Sequence, residues 1–382
     1  MNEKLTFLFD NIDPNKGLVP NLLFEPLPST GSNLIERFIK LTFDNFDVQF
    51  KPTYFADQNT PWLYPIFLNH LIFLNSLRHV RQCLPEKIKS GIRKQEGKVI
   101  IIVLEPFDGY EGFRLFESVV TSDTPDFIYL THHTSTLKNV ISYDAGILER
   151  DLGKIDSDDI LNNKKYLTEF DNRRFSCFLY FYMDCPSRML LLSFLEKTNI
   201  INDTFISAKK QARDFDIYLK DTQYTELGTT QTSFSSYDKV FNMLNITETL
   251  EKSLINIAVE GEVLYTTSRR IITEKIFRCI EAEKPFIIVS HPKALEYFRE
   301  QGYLSFSSLI DEGYDEIHNP KERLKRIFKE IKRLSEKPLE ELKLEIEKLK
   351  PIFEHNKKVL SLNHHATQMN VYKELLKNGK NN

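Results

Sequence analysis

Cysteine is scarce. The four residues, Cys83, Cys177, Cys185 and Cys279, are scattered, and none forms a C-x-x-C pair. That spacing offers neither a disulfide framework nor a zinc site, and it suits a reducing, cytoplasmic compartment. No run approaches the about 18 apolar residues that a membrane-spanning helix requires. The opening MNEKLTFLFDNIDPN is acidic and lacks a long apolar core, so a secretory signal is not expected. Also missing are G-x-G-x-x-G, the P-loop and G-x-S-x-G, which argues against dinucleotide redox, kinase-type and α/β-hydrolase chemistry. Neither an internal repeat of fixed period nor a low-complexity domain occurs. Charge of one sign is lacking too: the formal net charge is −3, with no general pull toward nucleic acid or an anionic membrane.

What is present is the material of a folded chain. Its 382 residues are 41% hydrophobic and 27% charged, which suits two domains of ordinary size. Lys98 to Leu104 (KVIIIVL) reads as a strand apolar on both faces, the mark of a parallel sheet covered by helices. A loop, Glu105 to Tyr110, follows it, then a helix over Gly112 to Val120 and a short strand, Phe127 to Leu130. This rhythm predicts an α/β fold. Upstream, Leu34 to Phe43 and Tyr64 to Leu84 have helical spacing.

The acidic stretch Asp151 to Lys165 reads as the region between domains. A second unit opens with the aromatic strand Arg174 to Tyr182, a loop through Arg188 and a helix over Met189 to Lys197. Ile200 to Ile206 leads toward another strand, and Tyr218 to Tyr237 reads as a surface loop. His291-Pro292 predicts a helix with proline at its first position, ending near Gly302. Asn319-Pro320-Lys321-Glu322 predicts another, with Leu324, Ile327, Phe328, Ile331 and Leu334 on one face. After Pro338 a further amphipathic helix carries Leu339, Leu342, Ile346 and Leu349. The expected divisions are 1–165, 166–335 and a helical extension over 336–382.

Charge collects in the stretch from Ile255 to Val289. A strand (Ile255, Ile257, Val259) runs into Glu260; the basic pair Arg269 and Arg270 precedes Thr273-Glu274-Lys275; a helix with Ile276, Phe277 and Ile280 leads to the apolar run Phe286 to Val289. The amide-rich start of a helix attracts phosphate. Thr273 suits the N-cap, Lys275 and Arg270 add full positive charges, and Glu274 can accept hydrogen bonds from sugar hydroxyls. Arg188, at the carboxyl end of another strand, would point into the crevice where α/β sheets bind ligands, and its guanidinium suits phosphate oxygens.

This stretch resembles the donor-binding motif of the α1,3-fucosyltransferase family and its phage and bacterial relatives. There an A-F-E-N strand end is followed by Y-x-T-E-K and a helix. The counterparts are Ala258-Val259-Glu260-Gly261 and Ile271-Ile272-Thr273-Glu274-Lys275. A second, looser match sets Ser187-Arg188 against the family's S-x-R or N-x-R element. Gly261 stands where the family has asparagine, and Ile271 or Ile272 where it has tyrosine, so GDP-fucose is not inferred.

The resemblance implies a GT-B-like architecture: two Rossmann-like α/β domains facing across a cleft, with C-terminal helices. It further implies a hexosyl- or pentosyltransferase using a nucleotide-sugar donor as substrate, with inversion, without a metal and with no other cofactor. Arg188, Arg270, Thr273 and Lys275 would hold the diphosphate, Glu274 the ribose, and Glu260 would lie near the transferred sugar. The acceptor's base is expected from the first domain, with Glu105 or Glu111 preferred and Asp108 or His132-His133 as alternatives. Asp156-Ser157-Asp158 and Asp214-Phe215-Asp216 match a metal-binding D-x-D pattern that aspartate-rich segments also generate by chance. The expected acceptor is a glycan or lipopolysaccharide precursor. One alternative is a phage-type DNA glycosyltransferase acting on hydroxymethylated bases, although no basic, aromatic groove is evident for a flipped base. The other is a non-catalytic nucleotide-sugar-binding protein of the same fold. The oligomeric state is not legible.

Overall fold

The computed structural model describes residues 4–9, 11–13, 17–19, 39–40, 43–53, 61–68, 84–94, 97–103, 127–131, 140–142, 173–180, 186–208, 250, 252–260, 272 and 274–376. The chain forms two compact units, Met1–Ile155 with Ser361–Asn382, and Asp156–Leu360.

In the first unit, β1 (Lys4–Phe9) is followed by the antiparallel pair β2 (Asn11–Asp13) and β3 (Gly17–Val19). Then come β4 (Asp47–Pro52), β5 (Trp62–Leu68), helix α1 (Glu86–Arg93), β6 (Gly97–Val103), β7 (Phe127–Thr131) and β8 (Val140–Ser142). A six-stranded sheet runs in the order β4-β1-β5-β6-β7-β8 with every pairing parallel. Consecutive residues are buried along its strands: Leu5, Phe7, Leu8 and Phe9 in β1, and Val99, Ile100 and Ile101 in β6. Burial on both faces is what a parallel sheet between helix layers demands.

One expectation fails here. The spacing of Tyr64 to Leu84 predicts a single helix, but Tyr64–Leu68 belongs to β5, a strand paired on both sides. A short apolar run does not distinguish a buried strand from a buried helix by spacing. Pro65 is tolerated because the ladder to β1 ends at Phe7 and Leu63, two residues earlier, while pairing with β6 continues. The predicted helix over Gly112 to Val120 lies outside the described residues.

Trp62 is the chain's single tryptophan and is fully buried at the start of β5. Its ring occupies space left by two glycines. A Cβ on Gly91 of α1 would lie 2.5 Å from the ring, and one on Gly97 of β6 only 2.2 Å.

The second unit carries β9 (Arg173–Tyr180), α2 (Pro186–Lys197), a 3-10 turn (Ile200–Asp203), β10 (Thr204–Ala208), β11 (Ser253–Val259), α3 (Glu274–Glu281), β12 (Phe286–Val289) and α4 (Ala294–Glu300). The sheet order is β10-β9-β11-β12, again all parallel. Both sheets therefore share a Rossmann-like plan, in which the first strand of the series lies between its second and third. The α/β expectation holds. Three helices follow, α5 (Pro320–Glu336), α6 (Leu339–Glu347) and α7 (Lys350–Leu376). Asn319 caps α5 as its sequence predicts, its side-chain oxygen accepting from the amides of Lys321 and Glu322 at 3.0 and 3.1 Å.

Long-range polar contacts tie these helices down. Arg174 at the start of β9 pairs with Asp203 at 3.0 Å and donates to the carbonyl of Leu334, which closes the end of α5. Asn356 of α7 exchanges two 2.8 Å hydrogen bonds with the backbone of Leu304. Farther along α7, Gln368 bonds Asp44 and Asn45 of the first unit, each at 2.8 Å, and Tyr372 packs on Phe46. Among the described residues, no helix is long and apolar enough to cross a membrane.

Gly97→Ala is expected to lower stability by about 1–3 kcal/mol, the usual cost of overpacking a well-filled core. Denaturant unfolding followed by Trp62 fluorescence would show this as a lower midpoint.

Candidate functional site

The carboxyl edge of the second sheet is where its architecture leaves room for chemistry. In open parallel sheets the crevice lies where the strand order reverses. Here that point falls between β9, which leads through α2 to β10, and β11, which leads through α3 to β12. Right-handed crossovers in opposite directions place α2 and α3 on opposite faces. Their first turns then flank the same gap.

Arg188 comes from the β9 side. It lies in the first turn of α2, since the helix starts at Pro186, three residues earlier than the sequence suggests. The expected loop through Arg188 is thus shorter, because proline suits the first helical position. Arg188 is 5% exposed. Its positive charge acts on Cys177 in β9 below it, opposing the burial that pushes this thiol up to about 12.

Glu260 and Lys275 come from the β11 side. Glu260 follows the strand directly, its amide donating to the carbonyl of Val289 at 3.0 Å. Lys275 is the second residue of α3, and its Nζ lies 3.6 Å from Glu260 Oε2. Both side chains are largely dry, at 12% exposure for Lys275 and 7% for Glu260. Beneath them Cys279 donates to the Lys275 carbonyl at 3.1 Å. Burial raises the Cys279 thiol far above its ordinary range, and the Glu260 charge pushes in the same direction. Both thiols are therefore protonated and inert as nucleophiles at neutral pH.

Of the other residues expected at the site, Glu274 opens α3. Glu105, Asp108, Glu111, Arg270 and Thr273 lie outside the described residues, as do both D-x-D triplets and His132-His133.

The edge beside β12 differs from its expectation. His291-Pro292 does not open a helix; α4 starts at Ala294. The intervening Lys293 is left-handed, with φ of 64°, and its amide donates to the Asp315 carbonyl at 2.8 Å. The Asp315 carboxylate accepts from the amides of Leu295 and Glu296, each at 3.0 Å. This internal carboxylate occupies the place an incoming anion would take at α4, so α3 and α2 are left as the helix starts facing the crevice. Nothing local in the sequence signals this arrangement, because Asp315 lies 20 residues beyond Leu295.

Glu312 stands beside Asp315. It accepts from the amide of Phe306 at 2.8 Å and pairs with Arg299 at 3.3 Å. Burial raises both carboxyls above their ordinary values; the amides of Leu295 and Glu296 pull Asp315 back, and Ser305, Phe306 and Arg299 pull Glu312 back.

No protein-family model and no curated protein matches the chain. The fucosyltransferase resemblance therefore rests on the residues quoted for it. Among solved structures, the chain is similar to a trehalose-6-phosphate synthase described in a study of enzymatic glycosyl transfer with retention. Identity is 11% and the TM-score 0.41, over 98% of this chain and 99% of that one.

A raised folded-state value means that the native protein holds the proton more tightly than the unfolded chain. The contribution of Glu312 is thus complete below the ordinary carboxylate range and is lost as pH rises through its raised value. Glu312→Gln is expected to flatten that decline, which thermal melts across mildly acidic to neutral pH would measure.

Proposed function

We propose that the protein is a glycosyltransferase of GT-B type that binds a nucleotide-sugar donor at the carboxyl edge of its second sheet. The observation that carries this reading is the nearly dry Glu260–Lys275 pair at 3.6 Å, set at the strand-order reversal with Arg188 at the start of the neighbouring helix. A buried ion pair is costly to maintain for stability alone. One cation on each side of a crevice suits a diphosphate, whose charge grows as the bond to the sugar breaks.

In this reading Lys275, Arg188 and the first-turn amides of α3 stabilise the departing diphosphate, the role that fixed donors and cations play at developing charge. Arg270 and Thr273 would add to that grip, and Glu274 would take the ribose hydroxyls. Glu260 has two parts. It holds Lys275 in place before the donor arrives, and it accepts a hydroxyl of the transferred sugar. The acceptor would be a glycan or lipopolysaccharide precursor, deprotonated by Glu105 or Glu111, with inversion as the fucosyltransferase resemblance implies.

Thermal-shift screening of UDP-, GDP-, ADP- and CMP-sugars is expected to return one stabilising base. Lys275→Ala and Arg188→Ala should each weaken that donor's binding by about 10–100-fold, the range of a lost charge-assisted hydrogen bond. Lys325→Ala, on the exposed side of α5, should leave it unchanged. Donor binding with neither transfer nor hydrolysis across a broad acceptor panel would mark a binding protein and not an enzyme.

A further inference from the structure

The turn that follows β12 is held more firmly than a connection requires. Arg323, only 1% exposed, donates from Nε to the Ser290 carbonyl at 2.9 Å. Its Nη1 donates to the carbonyls of Ile317 and His318 at 2.7 and 3.1 Å. His291 Nδ1 lies 2.9 Å from the Pro292 carbonyl, a contact that requires the proton on Nδ1. At the other end the left-handed Lys293 is fixed by Asp315.

Within this braced turn Ser290 is 2% exposed, and its Oγ has no hydrogen-bond partner among the described residues. Buried hydroxyls are nearly always paired, so an orphan calls for a partner of another kind. Its position suggests which. Val259 of β11 pairs with Val289 of β12, and the Glu260 amide continues that ladder onto the Val289 carbonyl. Ser290 and Glu260 therefore leave the sheet side by side, at the edge where Glu260 meets Lys275.

We propose that the Ser290 hydroxyl is a ligand contact of this site, hydrogen-bonding a ring hydroxyl of the sugar carried by the donor. The inference rests on the donor-site reading above. A phosphate oxygen is the poorer occupant, because the Glu260 carboxylate next door would repel it. A sugar hydroxyl can donate to Glu260 while a neighbouring one exchanges a hydrogen bond with Ser290. The rigidity of the turn then has a use, since a specificity contact works only when its position does not give way.

The test is calorimetric titration of the full-length protein and Ser290→Ala with the stabilising nucleotide sugar and with the matching nucleoside diphosphate alone. The expected result is about fivefold to tenfold weaker binding of the nucleotide sugar by the variant, the loss of one neutral hydrogen bond. Diphosphate affinity should be unchanged, and the melting temperature unchanged or higher. Should the variant fold poorly, Ser290→Cys, which nearly keeps the side-chain volume but hydrogen-bonds only weakly, makes the same measurement with the same two ligands. Equal affinity of both proteins for the nucleotide sugar, or an equal loss with the diphosphate alone, overturns the serine assignment only. Failure of the unmodified protein to bind any nucleotide or nucleotide sugar overturns the donor site and this contact together.

Discussion

Glu260 and Lys275 give up most of their water in each other's company. Desolvation costs several kcal/mol for each charge, which their attraction and further hydrogen bonds must offset. Their 3.6 Å separation is therefore the constraint that the surrounding elements serve. Ile257 and Val259 fix the end of β11 from below, and Ile276, Phe277 and Ile280 fix α3 against the sheet. A pair so balanced is easily re-partitioned: an anion beside Lys275 or a hydroxyl beside Glu260 enters an existing electrostatic frame with little reorganisation.

Around that frame, buried and half-buried side chains reach across long sequence intervals to satisfy backbone groups. Arg174 serves the end of α5, Arg323 the turn after β12, Asp315 the start of α4 and Asn356 the segment at Leu304. Each meets the requirement that buried amides and carbonyls be paired. Arginine suits the task because its planar group serves several acceptors at once: Arg323 alone accounts for three carbonyls. The second sheet is thereby held by side-chain clasps as much as by the apolar faces of its helices.

Local regularities were legible. KVIIIV announced a doubly buried strand, and Asn319-Pro320 announced the cap of α5. Where a motif depended on partners far along the chain, spacing misled. Tyr64–Leu68 has the apolar density of a helix, and only the neighbours β1 and β6 make it part of a strand. His291-Pro292 looked like a helix start, because nothing local reveals that Lys293 turns left-handed or that Asp315 supplies the cap. Of the residues proposed for the donor site, Glu260, Lys275 and Arg188 were singled out by motif order and strand ends. Ser290 was not, since a lone serine after an apolar run carries no signal until burial shows its hydroxyl unanswered.

The long helix α7 has a consequence for how the chain is made. Residues up to Leu360 belong to the second unit and those from Ser361 onward to the first, where Gln368 and Tyr372 close on Asp44, Asn45 and Phe46. The first unit thus starts ahead of the second in the chain but is finished only when α7 has been released. Its Asp44–Phe46 corner waits for partners more than three hundred residues downstream. A chain cut short before Gln368 would leave that corner open, however well the rest of its sheet had formed.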